Sequence, residues 1–509
     1  MLSIKKKYLL LIISILHTGY IYLIHNYIKS FKRHSFSLNP NTLEIKEDYF
    51  YFLQITDTHF SRKFTEKQDK NFLNFLEEIS NLNYKFVIHT GDIFDSQDKF
   101  IGVNKEDYLK YSELIKNKRF FNIRGNHDIF KSDKIINKEI QDILYNKERR
   151  NRSLLVKLKN KNILIRLLDG TPLNGTPKFY NFFGVLDDNY GIIQCDLSIN
   201  MCHYPINVLK SHHPSFYNCH AWFSGHFHTF FKYGDINKKS DKLESVLKDF
   251  YSNSVYRIIG VYKNNLFFND VHLKKPKVLI LNPIDKNLGV ENEKEDILKF
   301  LVFDFEKFVI KIDDKIYTNF TKEKECFSMK LPEKFSKIKV EAVNQFGTSF
   351  HEIDVKNGTE LRPLPLNIPF FYLPFLLCGG YFLLHLAIFV YFKKIFYIFC
   401  LRFFYNLFLP TLVMKAHNLN YSFFTSTKAG LNNSFDIFYF HLIFCGGYDF
   451  ILLISFFTKW YIIYLLFHLG IFLFFYKYYG LHFRPLEDFT FIFLICYFLY
   501  KKRVKSQIK

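Results

Sequence analysis

The chain has 509 residues, a formal charge of +21 at pH 7, 49% hydrophobic and 19% aromatic residues, including 63 Phe and 34 Tyr. That length exceeds one ordinary domain, and the aromatic surplus, much of it in long apolar runs near the ends, exceeds what a soluble core needs and points to membrane. The positive charge is scattered apart from Lys5–Lys7, Lys393–Lys394 and Lys501–Lys505, with no nucleic-acid-binding motif, so nucleic acid is excluded as a partner; the eight Cys contain no C-x-x-C pair, which excludes a zinc ribbon.

At the start, Lys5-Lys6-Lys7 precedes an apolar run from Tyr8 to about Ile28. His17-Thr18-Gly19-Tyr20 is a poor cleavage site, so residues 1–30 read as a signal anchor in preference to a cleaved signal peptide. In both cases the basic cluster places the N-terminus in the cytosol and the following chain in the lumen or outside. Residues 46–275 have the pattern of an α/β domain. Tyr49–Ile55 is expected as a strand, Phe72–Ile79 has helical spacing, and Phe86–Ile88 and Phe120–Ile123 are short strands; Asn162–Leu168, Ile193–Cys202 and Ala221–Ser224 continue the series.

Between residues 276 and 358 the helical pattern disappears. Val278–Leu281, Phe300–Phe303, Phe308–Ile312, Ile338–Val343 and Ser349–Val355 alternate as short strands, which predicts a small immunoglobulin-like β-sandwich. From 363 to 500 the chain turns apolar, with five candidate spans of an α-helical transmembrane bundle: Ile368–Phe392, Ile395–Met414, Ile437–Phe457, Trp460–Tyr476 and Phe489–Tyr500. Five spans keep Lys393-Lys394 and the basic tail together in the cytosol, where four would export the tail. Sequons at Asn420 and Asn432 then face the lumen. The expected protein is integral to the endoplasmic reticulum or another secretory-pathway membrane, with the bilayer as a partner; the oligomeric state is not legible.

Five motifs in the α/β region stand where strands stop, which is where open α/β sheets place their sites. They are Thr56-Asp57-Thr58-His59, Thr90-Gly91-Asp92, Arg124-Gly125-Asn126-His127-Asp128, Cys202-His203-Tyr204-Pro205 and Gly225-His226-Phe227-His228. Their carboxylate, imidazole and amide groups are ligands that divalent metals take. Asp57/His59 and His226/His228 have i, i+2 spacing, which at a strand end turns both side chains to one face. Each motif alone is weak to moderate, since D-x-H arises by chance and a lone histidine is more often a core or surface residue. All five in order, each ending an apolar stretch, predict a metal site.

In that order the motifs resemble those of the calcineurin-like metallophosphoesterase superfamily, and the resemblance covers about Tyr49 to Val271. It implies a fold of two mixed sheets flanked by helices. It implies that Asp57, His59 and His228 hold one metal ion and Asn126, His203 and His226 the other, with Asp92 bridging. The pair would be divalent or mixed-valence ions of Mn, Fe or Zn. The chemistry implied is hydrolysis of a phosphate ester, the ions activating water and balancing phosphoryl charge. His127 would donate a proton to the leaving oxygen, and Asp128 would orient its ring.

His203 departs from the family's frequent Gly-His pair, because Cys202 precedes it and His212 and His213 follow nearby. It is preferred because it ends the apolar run Ile193–Cys202. His89, His213 and His220 read as structural, and Asp95 as a supporting carboxylate. The expected function is a membrane-anchored phosphoric-ester hydrolase facing the lumen, with a membrane phospholipid or glycolipid phosphodiester as a candidate substrate. The alternative is a transport or adaptor protein whose ectodomain binds without hydrolysing. Its support is Arg402, Asp449 and the echo of Cys378-Gly379-Gly380-Tyr381 in Cys445-Gly446-Gly447-Tyr448.

Overall fold

The computed structural model describes residues 40–60, 67–95, 103–129, 134–146, 151–171, 193–211, 218–227, 242–286 and 296–355, with short strands at 35–36, 184–186, 189–190, 236–239, 412–414, 419–421 and 481–483. The expected anchor (1–30) lies outside the described residues, as does the expected bundle (363–500) apart from three of those short strands. Among the described residues no helix is long and apolar enough to cross a membrane. Leu412–Met414, at the end of the expected span Ile395–Met414, pairs as a strand with Leu419–Tyr421 and Leu481–Phe483. Pro410 just before it cannot continue a helix undisturbed.

The described residues within 33–175 and 184–369 form one compact unit. Its α/β part opens with β1 (Asn41–Ile45) and β2 (Tyr49–Ile55). β2 is buried on both faces: Phe50 and Phe52 enter one core, while Tyr51, Leu53 and Ile55 enter another, as a two-residue period requires. α1 (Lys67–Ile79) follows, turning Phe72, Phe75, Leu76 and Ile79 inward at helical spacing. β3 (Val87–His89) leads to α2 (Lys105–Ile115), which starts where the Asn104 side chain accepts the Glu106 N–H. Next come β4 (Phe120–Asn122), α3 (Lys134–Tyr145), β5 (Arg152–Leu158) and β6 (Lys161–Leu168). β7 (Leu197–Cys202), β8 (Ala221–Ser224), β9 (Ile236–Lys239), β10 (Lys242–Val246), β11 (Val255–Tyr262) and β12 (Asn265–His272) complete it.

These strands make two mixed sheets, a seven-stranded one in the order β9-β10-β8-β7-β6-β5-β1 and a five-stranded one in the order β12-β11-β2-β3-β4. β2, β3 and β4 run parallel, as do β6, β7, β8 and β10. Phe50, Phe52 and Ile88 meet Val156, Ile163, Ile199 and Phe223 between the sheets. The other face of the five-stranded sheet packs on α1, α2 and α3. This is the arrangement of two mixed sheets with flanking helices that the family resemblance implies.

Eight further strands follow: β13 (Lys277–Asn282), β14 (Ile297–Phe303), β15 (Lys307–Ile312), β16 (Lys315–Tyr317), β17 (Thr321–Glu323), β18 (Cys326–Lys330), β19 (Lys337–Asn344) and β20 (Gly347–Asp354). They form two antiparallel four-stranded sheets, β13-β14-β18-β17 and β16-β15-β19-β20. Val278, Ile280, Phe300, Ile310, Ile338 and Val340 pack between them. The opposite faces of β13 and β14 carry Leu279, Leu281, Leu301 and Phe303, which join the helix-side core of the α/β part.

A buried ion pair pins that junction. Lys277 is fully buried, its Nζ 2.9 Å from Glu78 Oε1 on α1 and 2.6 Å from Asp304 Oδ2. Glu78 also accepts from Tyr256 Oη at 2.8 Å and from the Lys274 N–H at 2.6 Å. Glu78→Ala leaves a buried ammonium short of one partner and is expected to cost about 3–5 kcal/mol in a denaturant melt. Adding Lys277→Met should recover much of that loss, since an apolar replacement of the pair removes the stranded charge.

Candidate metal centre

β2, β3, β4, β7 and β8 each end in one of the five motifs, and backbone hydrogen bonds tie the resulting loops together. The Asp57 N–H donates to Gly91 O (2.9 Å), the His59 N–H to Asp92 O (3.1 Å) and the Gly225 N–H to His203 O (3.1 Å). After β10, Phe250 and Tyr251 donate their N–H groups to Thr56 O and Asp57 O, both at 3.1 Å. The turns are sharp. Asp57, His59, Asp92 and His226 have φ of 52°, 43°, 54° and 75°, a left-handed region that side-chain-bearing residues rarely occupy. Such strain persists only where surrounding structure over-determines it, and it concentrates at functional sites.

Two glycines make the crowding feasible. Gly91 has φ of 100°, and a Cβ there would lie 2.7 Å from His203 Nδ1. At Gly125 the demand is for close approach, since a Cβ would fall on Asp92 Oδ1 and on the Asp92 backbone nitrogen. Gly125→Ala therefore must displace Asp92. Overpacking of this kind costs about 1–3 kcal/mol, and the variant should bind fewer than half the metal equivalents of the native chain in elemental analysis while still unfolding cooperatively.

The loops bring two groups of donor atoms together. In the first, His203 Nε2, Asn126 Oδ1 and His226 Nδ1 form a triangle with sides of 2.9, 3.0 and 3.1 Å. Asp92 Oδ1 lies 3.5 Å from His203 Nε2. In the second, His59 Nε2 stands 3.8 Å from Asp57 Oδ1 and 3.9 Å from Asp92 Oδ2. Within each set of His and carboxylate ligand atoms, all lie within 4.8 Å of one another. Donors bound at right angles to one ion at about 2.1 Å would stand about 3 Å apart, close to the sides of the first triangle.

The hydrogen positions strengthen the fit. His203 Nδ1 is 2.9 Å from Thr90 O, which can only accept, so this nitrogen carries the proton and Nε2 presents a lone pair. That lone pair faces Asn126 Oδ1 and Asp92 Oδ1, both acceptors. Lone pairs converging in this way are the donor arrangement that a cation takes. Charge gives the same answer: burial, then the neighbouring Asp57 and Asp128 carboxylates, push Asp92 well above the usual carboxylate range. The donor chemistry therefore suits two metal ions, with one oxygen of Asp92 turned toward each group.

His127 and Asp128 separate. The His127 N–H donates to Asp92 Oδ1 at 2.8 Å, and its ring stands edge-on to that of His59, 4.6 Å between centroids. The carboxylate at its ring is that of Asp95, with Oδ1 3.3 Å from Nδ1. Asp128, fully buried, instead accepts from the N–H groups of Gly125 (2.8 Å), Ile93 (3.0 Å) and Phe94 (3.3 Å) and from Tyr108 Oη (2.6 Å). It fastens the β3 loop to the β4 loop. A 3₁₀ turn over His127–Ile129 sends the two neighbouring side chains in different directions.

His228 lies outside the described residues. His89 is buried among structural partners: its Nδ1 accepts the Gly91 N–H at 3.2 Å, its Nε2 lies 3.0 Å from Thr58 Oγ1, and burial holds its pKa down at about 3. His220 accepts the Ser198 N–H at 3.0 Å, away from both donor groups. Tyr108, which holds Asp128, and Tyr251, whose ring stands edge-on to His59 at 6.1 Å, were not singled out from sequence. Neither sits in a motif, and only the fold brings them in.

With this geometry in place, comparison with known proteins gives three results. The model of the family described as Calcineurin-like phosphoesterase matches residues 50–237, which include all five motifs. Transmembrane protein 62 of Mus musculus is 25% identical over 263 residues, covering 46% of this chain and 41% of the mouse protein, so the chain matches less than half the length of that relative. The crystal structure of a dimetal phosphatase from Danio rerio aligns with 44% of this chain and 97% of its own, at 11% identity and a TM-score of 0.29.

Proposed function

We propose, from the calcineurin-like phosphoesterase match of residues 50–237, that the chain is a metal-dependent phosphoric-ester hydrolase with a dinuclear centre. The observation that carries this is Asp92, a buried carboxylate with Oδ1 3.5 Å from His203 Nε2 and Oδ2 3.9 Å from His59 Nε2. Asp57, His59 and Asp92 would hold one ion, joined by His228 on the strength of its motif. Asp92, Asn126, His203 and His226 would hold the other. Bound there, two ions of Mn, Fe or Zn supply Lewis acidity toward water and charge balance for the phosphoryl oxygens.

The chain's own residues do the rest. His127 holds a proton at Nε2, 3.9 Å from Asp92 Oδ2, for the departing ester oxygen. Asp95 Oδ1, 3.3 Å from Nδ1, accepts that nitrogen's proton and fixes the ring's direction, so the proton at Nε2 is the second one of an imidazolium. Asp128 is a positioning residue that keeps Gly125 and the amides of Ile93 and Phe94 in place.

The finer reading is membrane anchoring, with residues 46–358 in the lumen and a lipid-linked phosphate ester as substrate. It is supported by the apolar runs within 1–30 and 363–500 and by the placement of the basic clusters. The small sandwich reads as immunoglobulin-like, because lettering its strands A, B, C, C′, D, E, F, G gives sheets A-B-E-D and C′-C-F-G. The test takes the purified full chain in detergent, stripped of metal and reloaded with Mn, Fe or Zn. Substrates are p-nitrophenyl phosphate, bis(p-nitrophenyl) phosphate and a phospholipid in mixed micelles. Turnover restored by a metal and abolished by chelation supports the proposal. Two bound equivalents with no turnover on any ester would instead favour a binding role.

A further inference from the structure

Away from the metal centre, we propose that Asn319 is a site of N-linked glycosylation, a reading that rests on the lumenal placement of residues 46–358 proposed above. Asn319-Phe320-Thr321 is an N-x-T acceptor. It occupies the irregular link from β16 into β17, where residues 318–321 are all exposed. Among the described residues β17 is the outer strand of its sheet and pairs with β18 alone, leaving its other side open to an approaching group. Thr321 Oγ1 lies 2.9 Å from Ser328 Oγ, which holds the end of the triplet to the sandwich while Asn319 projects from it.

The surroundings can house what would be attached. Asn319, Phe320 and Thr321 border an open groove of about 1090 Å³ that is also lined by Tyr262 and Lys299. That volume lies just above the range of about 300–1,000 Å³ for small-molecule sites. Phe320, 40% exposed, presents a ring face to sugar, whereas Tyr262 on the groove wall is only 3% exposed, with Lys299 Nζ 4.6 Å from its ring centroid. A second triplet makes the contrast. Asn151-Arg152-Ser153 has the same pattern, but Asn151 is 6% exposed and its Oδ1 accepts the Asp169 N–H at 2.8 Å. No glycan fits there in this fold.

The chemistry is a group transfer. The Asn319 carboxamide nitrogen bonds to the anomeric carbon of an oligosaccharide and gives up one proton, as the bond from that carbon to the pyrophosphate of a lipid-linked donor breaks. The donor and the transferase belong to the secretory membrane.

The experiment translates the full chain into sealed microsomes and compares gel mobility before and after enzymatic removal of N-glycans. Asn319→Gln should lose one glycan step relative to the native chain, and Thr321→Ser, which keeps the acceptor hydroxyl, should not. Protease added outside the sealed vesicles reads topology separately. If 46–358 is protected and Asn319→Gln migrates with the native chain, the glycan proposal fails while the lumenal reading stands. If that segment is digested in sealed vesicles, the lumenal reading fails and the glycan with it.

Discussion

Asp92→Asn should release both ions and abolish the proposed ester hydrolysis. The substitution keeps the shape of the side chain and removes the charge that each donor group uses through a different oxygen. Loss of several kcal/mol of charge stabilisation corresponds to a fall in turnover of about three decades or more. Elemental analysis of the purified variant should find both equivalents depleted, whereas a substitution at Asn126 should chiefly deplete one. The same change has an opposite effect without metal. Asp92 is buried beside the Asp57 and Asp128 carboxylates, which together disfavour its ionised form. A neutral amide relieves that crowding, so metal-free Asp92→Asn should melt above the metal-free native chain at neutral pH. Full activity in the variant would remove Asp92 from the centre.

His127→Ala should leave metal content intact and expose the proton donor. Positioned acids and bases contribute about 10²–10⁴-fold. The full loss should appear with alkyl esters, whose departing oxygen needs a proton, and much less with p-nitrophenyl esters, whose leaving group departs as a stable anion. The alanine retains the backbone N–H that donates to Asp92 Oδ1 at 2.8 Å, so the carboxylate should stay in place. Asp95→Asn should show the same leaving-group pattern with a smaller loss, because it acts through the His127 ring. Asp128→Asn should differ in kind, loosening three amides and Tyr108 and lowering metal affinity for every substrate alike. Equal losses on alkyl and aryl esters in His127→Ala would argue that the ring does not deliver the proton.

Much of the α/β part was legible because its strands are short apolar runs that stop at polar motifs. Tyr49–Ile55 and Ala221–Ser224 have the expected bounds, while β7 begins at Leu197 where the apolar pattern suggested Ile193. What adjacency in sequence could not convey was direction. Asp128 follows His127 in the chain, yet the turn points it into the loop amides, and the carboxylate beside the imidazole comes from another strand end. In the sandwich, β17 is not among the expected strands, since Thr321, Lys322 and Glu323 carry no apolar alternation, and all three are exposed. Its strand character comes from pairing with β18, a nonlocal fact that no window of residues contains.

The junction around Lys277 has a consequence for how the molecule comes apart. Leu279, Leu281, Leu301 and Phe303 share one core with Tyr51, Phe75 and Tyr256, and a fully buried charge crosses the same seam. A chain ending near residue 275 would bare that apolar wall and leave Glu78 without its ammonium. Such a fragment should aggregate rather than fold. The stretch from 40 to 355 should instead melt in a single cooperative transition, with protease finding no early cut between the two parts. Substitutions deep in the sandwich, far from any ligand, should then reduce the yield of active protein without altering the chemistry of the molecules that survive.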